Sequence, residues 1–124
     1  KVSKEDIKTR AEIRNLVDRF YDKLLVDPLI KHFFVDLDLE HHLPRVAMFW
    51  EMVLLGDAGY TTNVTDVHLR LNQQKPMSKE HFDRWLVHFE ATMNELHEGP
   101  KAEEAISRAR SIAIIMHIKV EVNN

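Results

Sequence analysis

The glycines and prolines of this chain are few, and their positions restrict its fold more than any other feature. Only three glycines and four prolines occur in 124 residues. Pro28, Gly56 and the pair Gly99-Pro100 each follow a segment in which apolar residues recur every three or four positions. Because glycine and proline favour helix boundaries and disfavour helix interiors, this pattern predicts an all-α fold. No strand pattern competes with it.

The N-terminal part of the chain predicts one long helix followed by a short helical turn. The long helix starts at the Ser3 and Asp6 signal and runs to about Leu25. Asp27-Pro28 ends it and opens the short turn, because proline suits the first position of a helix.

The next segment predicts a helix that carries Val46 and Phe49 and ends at Gly56. Its start is less defined because Pro44 lacks a backbone N–H and clashes in a helix interior. This helix therefore either starts near His42 or bends there.

Two more helices are predicted in the C-terminal part. Ser78 caps one that Gly99-Pro100 terminates, and the last begins at about Lys101. No repeat, linker or low-complexity tract divides the sequence. We therefore expect residues 1–124 to form a single domain.

Composition excludes several classes of protein. The net charge of -3 argues against a nucleic-acid binder, which would usually carry a basic face. The absence of cysteine excludes disulfides and thiolate metal ligands. No apolar run approaches the roughly 20 residues that span a bilayer, so no membrane association is expected and the cytoplasm is the expected location.

The middle helix places an imidazole at the mouth of an apolar face. At 100° per residue, His42, Val46 and Phe49 share one stripe with Arg45 at its edge, whereas His41 points away. His42 is therefore the better candidate for a pocket residue. The alternative is that both histidines decorate a polar helix start.

Tyr21 and Trp85 raise a second question about buried hydrogen bonding. Each should face inward on its helix, where a buried hydroxyl or indole N–H needs a partner. Ordinary aromatic packing is the alternative for either residue alone. Together with His42, however, they supply three hydrogen-bond donors from three helices. An apolar environment for these donors is furnished by Phe33, Phe34 and Val46.

His68 stands alone in a short segment from Thr65 to Leu71 that has little apolar surface with which to dock. An imidazole there could hold a metal from one side. A lone histidine is more often an ordinary surface or core residue, so the segment by itself leaves both interpretations of His68 open.

The order and spacing of these elements resemble the truncated haemoglobins, and most of all their group III. The elements that carry the resemblance are Phe20-Tyr21, Asp27-Pro28-Leu29, Phe33, His42, Phe49-Trp50, His68-Leu69, His81-Phe82-Asp83-Arg84-Trp85-Leu86 and Phe89. They cover nearly the whole chain. The glycine pairs typical of groups I and II are absent, which supports group III, whereas Pro44 departs from the pattern just after the distal position.

This resemblance implies a truncated globin fold, a two-over-two helical sandwich around haem b. It makes His68 the proximal ligand of the haem iron and Tyr21, His42 and Trp85 the distal residues. The implied haem pocket comprises Phe20, Phe33, Phe34, Arg45, Val46, Phe49, Phe82 and Met116. Arg45 is also the first candidate to pair with a haem propionate, ahead of Arg70 and Lys75. A monomer is expected.

The function implied is reversible binding of oxygen, nitric oxide, carbon monoxide or another small ligand. Nitric oxide dioxygenase-like or peroxidase-like side activity, served by a reductase, stays open beside storage or sensing without turnover. A cofactor-free helical interaction module is the alternative without haem. A di-iron carboxylate bundle is disfavoured because no glutamate has a histidine three residues later, and a helix-turn-helix DNA reader lacks a basic recognition helix.

Overall fold

A computed structural model describes residues 4–56 and 77–123 of the chain. Within these ranges the elements are α1 (Arg10–Val26), a 3-10 turn (Lys31–Phe33), α2 (Leu39–Leu55), α3 (Lys79–Leu96) and α4 (Pro100–Asn123). The expected all-α fold is confirmed. His68, Arg70 and Lys75 lie outside the described residues.

The start of α1 differs from the expected one. Its N-cap is Thr9, whose hydroxyl accepts the backbone N–H of Glu12 at 3.2 Å while the Glu12 carboxylate accepts the Thr9 N–H at 3.0 Å. The predicted start at the Ser3 and Asp6 signal was therefore wrong. The Asp6 carboxylate instead accepts the backbone N–H groups of Lys101 and Ala102, both at 2.9 Å, and so caps α4.

The first turn of α2 precedes His42, and the helix continues through Pro44. The carbonyl of Asp38 accepts the N–H groups of His41 and His42, and its carboxylate accepts His41 Nδ1–H at 2.6 Å. Pro44 has no N–H to donate to the carbonyl of Glu40. Asp38 therefore supplies backbone contacts and one side-chain contact to the first turn of α2.

Other boundaries agree with the local signals in the sequence. Gly56 ends α2 in the left-handed conformation with φ of 75°. Ser78 is the N-cap of α3, and α4 begins at Pro100, one residue before the predicted start.

The four helices of the described ranges pack in two pairs that also contact each other. α1 contacts α2, and α3 contacts α4, while α1 also packs on α3 and α2 on α4. The largest fully buried side chains include Leu16, Phe20, Leu24, Phe33, Phe34, Phe89 and Met93. α1 therefore contributes Leu16, Phe20 and Leu24 to the core and contacts both α2 and α3. No helix in the described ranges is long and apolar enough to cross a membrane.

Candidate functional site

A polar contact joins α1 to α2 inside the aromatic core. The hydroxyl oxygen of Tyr21 lies 2.8 Å from Nε2 of His42, and the two ring centroids are 5.6 Å apart. Tyr21 is 3% exposed, whereas His42 is half-buried. The structure therefore brings these two predicted site residues into direct contact, with His42 on the outer side.

Aromatic rings enclose the Tyr21 side chain. Its ring makes edge contacts with Phe20 at 5.5 Å and with Phe34 at 5.7 Å. Burial raises the pKa of the Tyr21 hydroxyl far above its ordinary value because the phenolate would be poorly solvated. Tyr21 is thus a neutral hydrogen-bond donor at physiological pH.

Trp85 lies beyond Phe20 on α3. The Phe20 ring meets the Trp85 ring edge-on at 5.6 Å and the Phe89 ring at 5.3 Å, and Trp85 stacks on Phe89 at 6.0 Å. Because Phe20 contacts both Tyr21 and Trp85, it spaces the two predicted distal donors. Any change in how α3 packs on α1 would alter that spacing.

A small apolar cleft, no larger than a water molecule needs, adjoins Trp85. Its lining comprises Met77, Phe82, Trp85, Ile112, Ala113 and Met116. Phe82 and Met116 were predicted as haem-pocket residues, and Trp85 as a distal donor. The structure thus groups them on the α3 and α4 side of the site.

The helix α2 presents two apolar faces. Ala47, Trp50 and Leu54 are buried in the core. A second face, formed by His42, Val46, Phe49 and Val53, is only half-buried. An apolar stripe with an imidazole at one end, incompletely covered by protein, suits the flat face of a porphyrin.

The remaining predicted residues occupy different surroundings. The Phe33 ring contacts the rings of His32 and His81, at centroid distances of 4.0 and 4.7 Å. Phe49 contacts Trp50 at 5.1 Å. Arg45 is exposed, which leaves its guanidinium accessible at the edge of α2.

One polar cluster near the site was not predicted from the sequence. The carboxylate of Asp27, at the C-cap of α1, accepts hydrogen bonds from Arg84 Nε at 2.7 Å and from His88 Nε2 at 2.6 Å. Arg84 and His88 lie four residues apart and therefore share a face of α3. That spacing was the available signal, although it does not identify the distant carboxylate that the pair binds.

The donor set is consistent with haem but not with a preformed metal cluster. In residues 4–56 and 77–123 no group of three or more histidine, aspartate or glutamate side chains could hold a metal ion. Tyr21, His42 and Trp85 instead offer neutral donors among aromatic rings, together with the half-buried face of α2. These residues fit the distal side of a haem.

The chain also matches a known protein family over most of its length. The family model described as bacterial-like globin matches residues 5–120. A group 1 truncated haemoglobin of Tetrahymena pyriformis is 36% identical over 81 residues, which span 64% of this chain and 64% of that relative. A group 3 truncated haemoglobin of Campylobacter jejuni is 28% identical over 110 residues, or 84% of each chain.

Solved structures show the same relationship. The crystal structure of the group III truncated haemoglobin from Campylobacter jejuni superimposes with a TM-score of 0.82 at 25% identity, covering 94% of both chains. A mutant truncated haemoglobin from Tetrahymena pyriformis in its Fe(III) form gives a TM-score of 0.66 at 27% identity, covering 80% of this chain and 82% of that one. The chain therefore belongs to the bacterial-like globin family, as a truncated haemoglobin.

Proposed function

We propose that the chain binds haem b through His68 and holds oxygen or a related diatomic ligand beside Tyr21, His42 and Trp85. Membership of the globin family implies a haem-binding, ligand-binding role. The observation that carries the proposal is the Tyr21–His42 contact, because it places a buried neutral donor at the half-buried face of α2. Haem bound through one imidazole supplies an iron with an open position for a diatomic ligand.

The hydrogen bond between Tyr21 and His42 can run in either direction, depending on which group carries the proton. If His42 Nε2–H donates to the Tyr21 oxygen, the phenolic proton is free to point into the pocket toward a ligand. If Tyr21 donates to His42 instead, that proton is withheld. The tautomer of His42 therefore decides whether Tyr21 stabilises the ligand.

Trp85 and the apolar lining complete the distal side. An indole N–H can only donate, so Trp85 suits a ligand that gains partial negative charge. Phe20 and Phe34 exclude water around Tyr21, which strengthens each hydrogen bond made there. We therefore expect oxygen to bind tightly and to leave slowly.

Arg45 is our candidate for pairing with a haem propionate. It is exposed at the edge of the α2 face that carries His42 and Val46, and guanidinium groups bind carboxylates well. The Arg45→Ala protein should lose haem to a scavenger globin faster than the unsubstituted protein. An unchanged loss rate would assign the propionates to other cations, with Arg70 and Lys75 the next candidates.

Absorption spectra of the ferric, ferrous and carbon monoxide states test haem binding. We expect the protein to take up haemin with a Soret band at one haem per chain, and His68→Ala to weaken that uptake sharply. His41→Ala is the matched control, because His41 is exposed and bonds Asp38 instead. Colourless protein after reconstitution would favour the cofactor-free interaction module.

The same donors could serve storage, sensing or reaction of bound oxygen with nitric oxide. A turnover assay coupled to a reductase separates these functions. Consumption of nitric oxide at a rate that falls in the Tyr21→Phe protein would support dioxygenase-like activity. Binding without turnover would support storage or sensing.

A further inference from the structure

We infer that Asp27, Arg84 and His88 form a positioning cluster that sets the distance between Tyr21 and Trp85 and thereby the rate at which a ligand escapes. This inference rests on the proposed function and adds three residues to it. None of the three contacts the ligand in this scheme. They act through the packing of α3 on α1.

The cluster is geometrically tight and spans two helices. One carboxylate oxygen of Asp27 accepts from Arg84 Nε at 2.7 Å and from His88 Nε2 at 2.6 Å, while the other accepts the backbone N–H of Leu29 at 3.0 Å. Short charge-assisted bonds of this kind are stronger and more directional than neutral ones. The end of α1 is thus fixed to one face of α3.

The Asp27 carboxylate is buried, so it needs these hydrogen bonds in place of water. The Asp27 side chain is 6% exposed, whereas the Arg84 and His88 side chains are 47% and 20% exposed. Burial alone would raise the pKa of the Asp27 carboxyl, but the hydrogen bonds from Arg84 and His88 outweigh it and hold the pKa well below its usual range. The carboxylate therefore stays charged, and losing a partner would leave a buried charge incompletely satisfied.

The register of α3 links the cluster to the site. Arg84 and His88 immediately precede Trp85 and Phe89, the two rings that contact Phe20. Asp27 therefore holds one face of α3 while Phe20 packs on the adjacent face. Together the two contacts fix both the rotation and the axial position of α3 relative to α1.

Loosening the cluster should move one donor and not the other. Tyr21 is on α1 and bonds His42 of α2, and neither helix contributes Arg84 or His88. Trp85 is on α3 and depends on the packing that the cluster controls. A weakened cluster should therefore displace the indole N–H while the Tyr21–His42 bond persists.

The experiment compares haem-loaded Asp27→Asn and Arg84→Gln with Arg84→Lys and Arg110→Gln. Arg84→Lys keeps the positive charge, so its oxygen dissociation rate should lie between those of Arg84→Gln and the unsubstituted protein. Arg110→Gln is the matched control, because Arg110 Nε bonds the Glu90 carboxylate at 2.8 Å between α4 and α3 and does not involve α1. Arg84→Gln, at a half-exposed side chain, keeps the test valid if Asp27→Asn fails to fold.

Three readouts separate positioning from mere stability. These are the oxygen dissociation rate, the C–O stretching band of added carbon monoxide, and the indole ¹⁵N–¹H resonance that Trp85→Phe removes. We expect Asp27→Asn and Arg84→Gln to raise the dissociation rate about threefold, since part of one hydrogen bond is lost. The C–O band and the Trp85 resonance should shift in the same variants and not in Arg110→Gln.

Three results would overturn the inference. If the variants lose thermal stability while the C–O band and the Trp85 resonance stay in place, the cluster is structural only. If Trp85→Phe itself leaves oxygen dissociation unchanged, the role of Trp85 in the proposed function fails and the inference fails with it. A change in Trp85→Phe without one in Asp27→Asn or Arg84→Gln rejects the inference alone.

Discussion

The Tyr21 hydroxyl oxygen and His42 Nε2, 2.8 Å apart, form a polar contact between α1 and α2 within an aromatic cluster. His42 is half-buried and Tyr21 is almost fully buried. A ligand that approaches along α2 would therefore meet the imidazole before the hydroxyl. This order assigns separable effects to the two residues, on ligand access and on ligand release.

Replacing Tyr21 with phenylalanine should raise the oxygen dissociation rate about tenfold or more. The substitution removes only the hydroxyl, and a hydrogen bond to a polarised ligand is worth roughly 1.5–3 kcal/mol. Phe20 and Phe34 should hold the new ring in place because both contact the existing one. Stopped-flow ligand replacement measures the rate, and an unchanged value would remove Tyr21 from the distal donors.

Replacing His42 with alanine should accelerate the association of carbon monoxide severalfold. The substitution removes a half-buried ring at the start of α2, where Pro44 already deprives the helix of one hydrogen bond. Flash photolysis measures the association rate. His41→Ala serves as the control, since the exposed His41 side chain bonds Asp38 and not Tyr21. Equal rates in all three proteins would exclude a gating role for His42.

Local signals in the sequence sufficed for much of the fold. Gly56 and Ser78 mark helix boundaries because the required backbone conformation or cap depends on neighbouring residues alone. Helical periodicity likewise placed His42 on the face of Val46. These inferences need no knowledge of the tertiary structure.

Contacts between distant residues could not be predicted in the same way. Asp6 has the sequence features of a helix start, yet its carboxylate caps α4 more than ninety positions later. The partners of Asp27 are also distant in sequence, at 57 and 61 positions along the chain. Short polar side chains can cap whichever helix end lies nearest in space, and the packing of the helices decides which that is.

The stability of the protein should fall in mild acid through His81. Its Nδ1 accepts the backbone N–H of Ser78 at 2.9 Å, which requires that nitrogen to be unprotonated. Burial lowers the pKa of the His81 imidazole, and electrostatic repulsion from the nearby His32 lowers it further. The stabilising contribution is therefore complete above the unfolded pKa of about 6.5 and is lost as the pH falls through the lower folded value.

Replacing His81 with glutamine tests this pH dependence. Glutamine at the same position can keep the capping bond without titrating. Urea midpoints measured at about pH 7.5 and about pH 5 should differ less in the variant than in the unsubstituted protein. Identical differences in the two proteins would show that other groups cause the acid sensitivity.

Gly99→Ala should destabilise the protein more than Gly56→Ala does. Both glycines have positive φ, 146° for Gly99 and 75° for Gly56, so alanine costs conformational energy at either position. A methyl group at Gly99 would also come within 2.6 Å of Cβ and Cγ of Asp6, whereas one at Gly56 meets no atom within 4 Å. We expect about 1 kcal/mol for Gly56→Ala. Gly99→Ala should cost clearly more, because moving Asp6 also breaks its bonds to Lys101 and Ala102. Chemical denaturation compares the two, and equal losses would mean that the cap on α4 adjusts without cost.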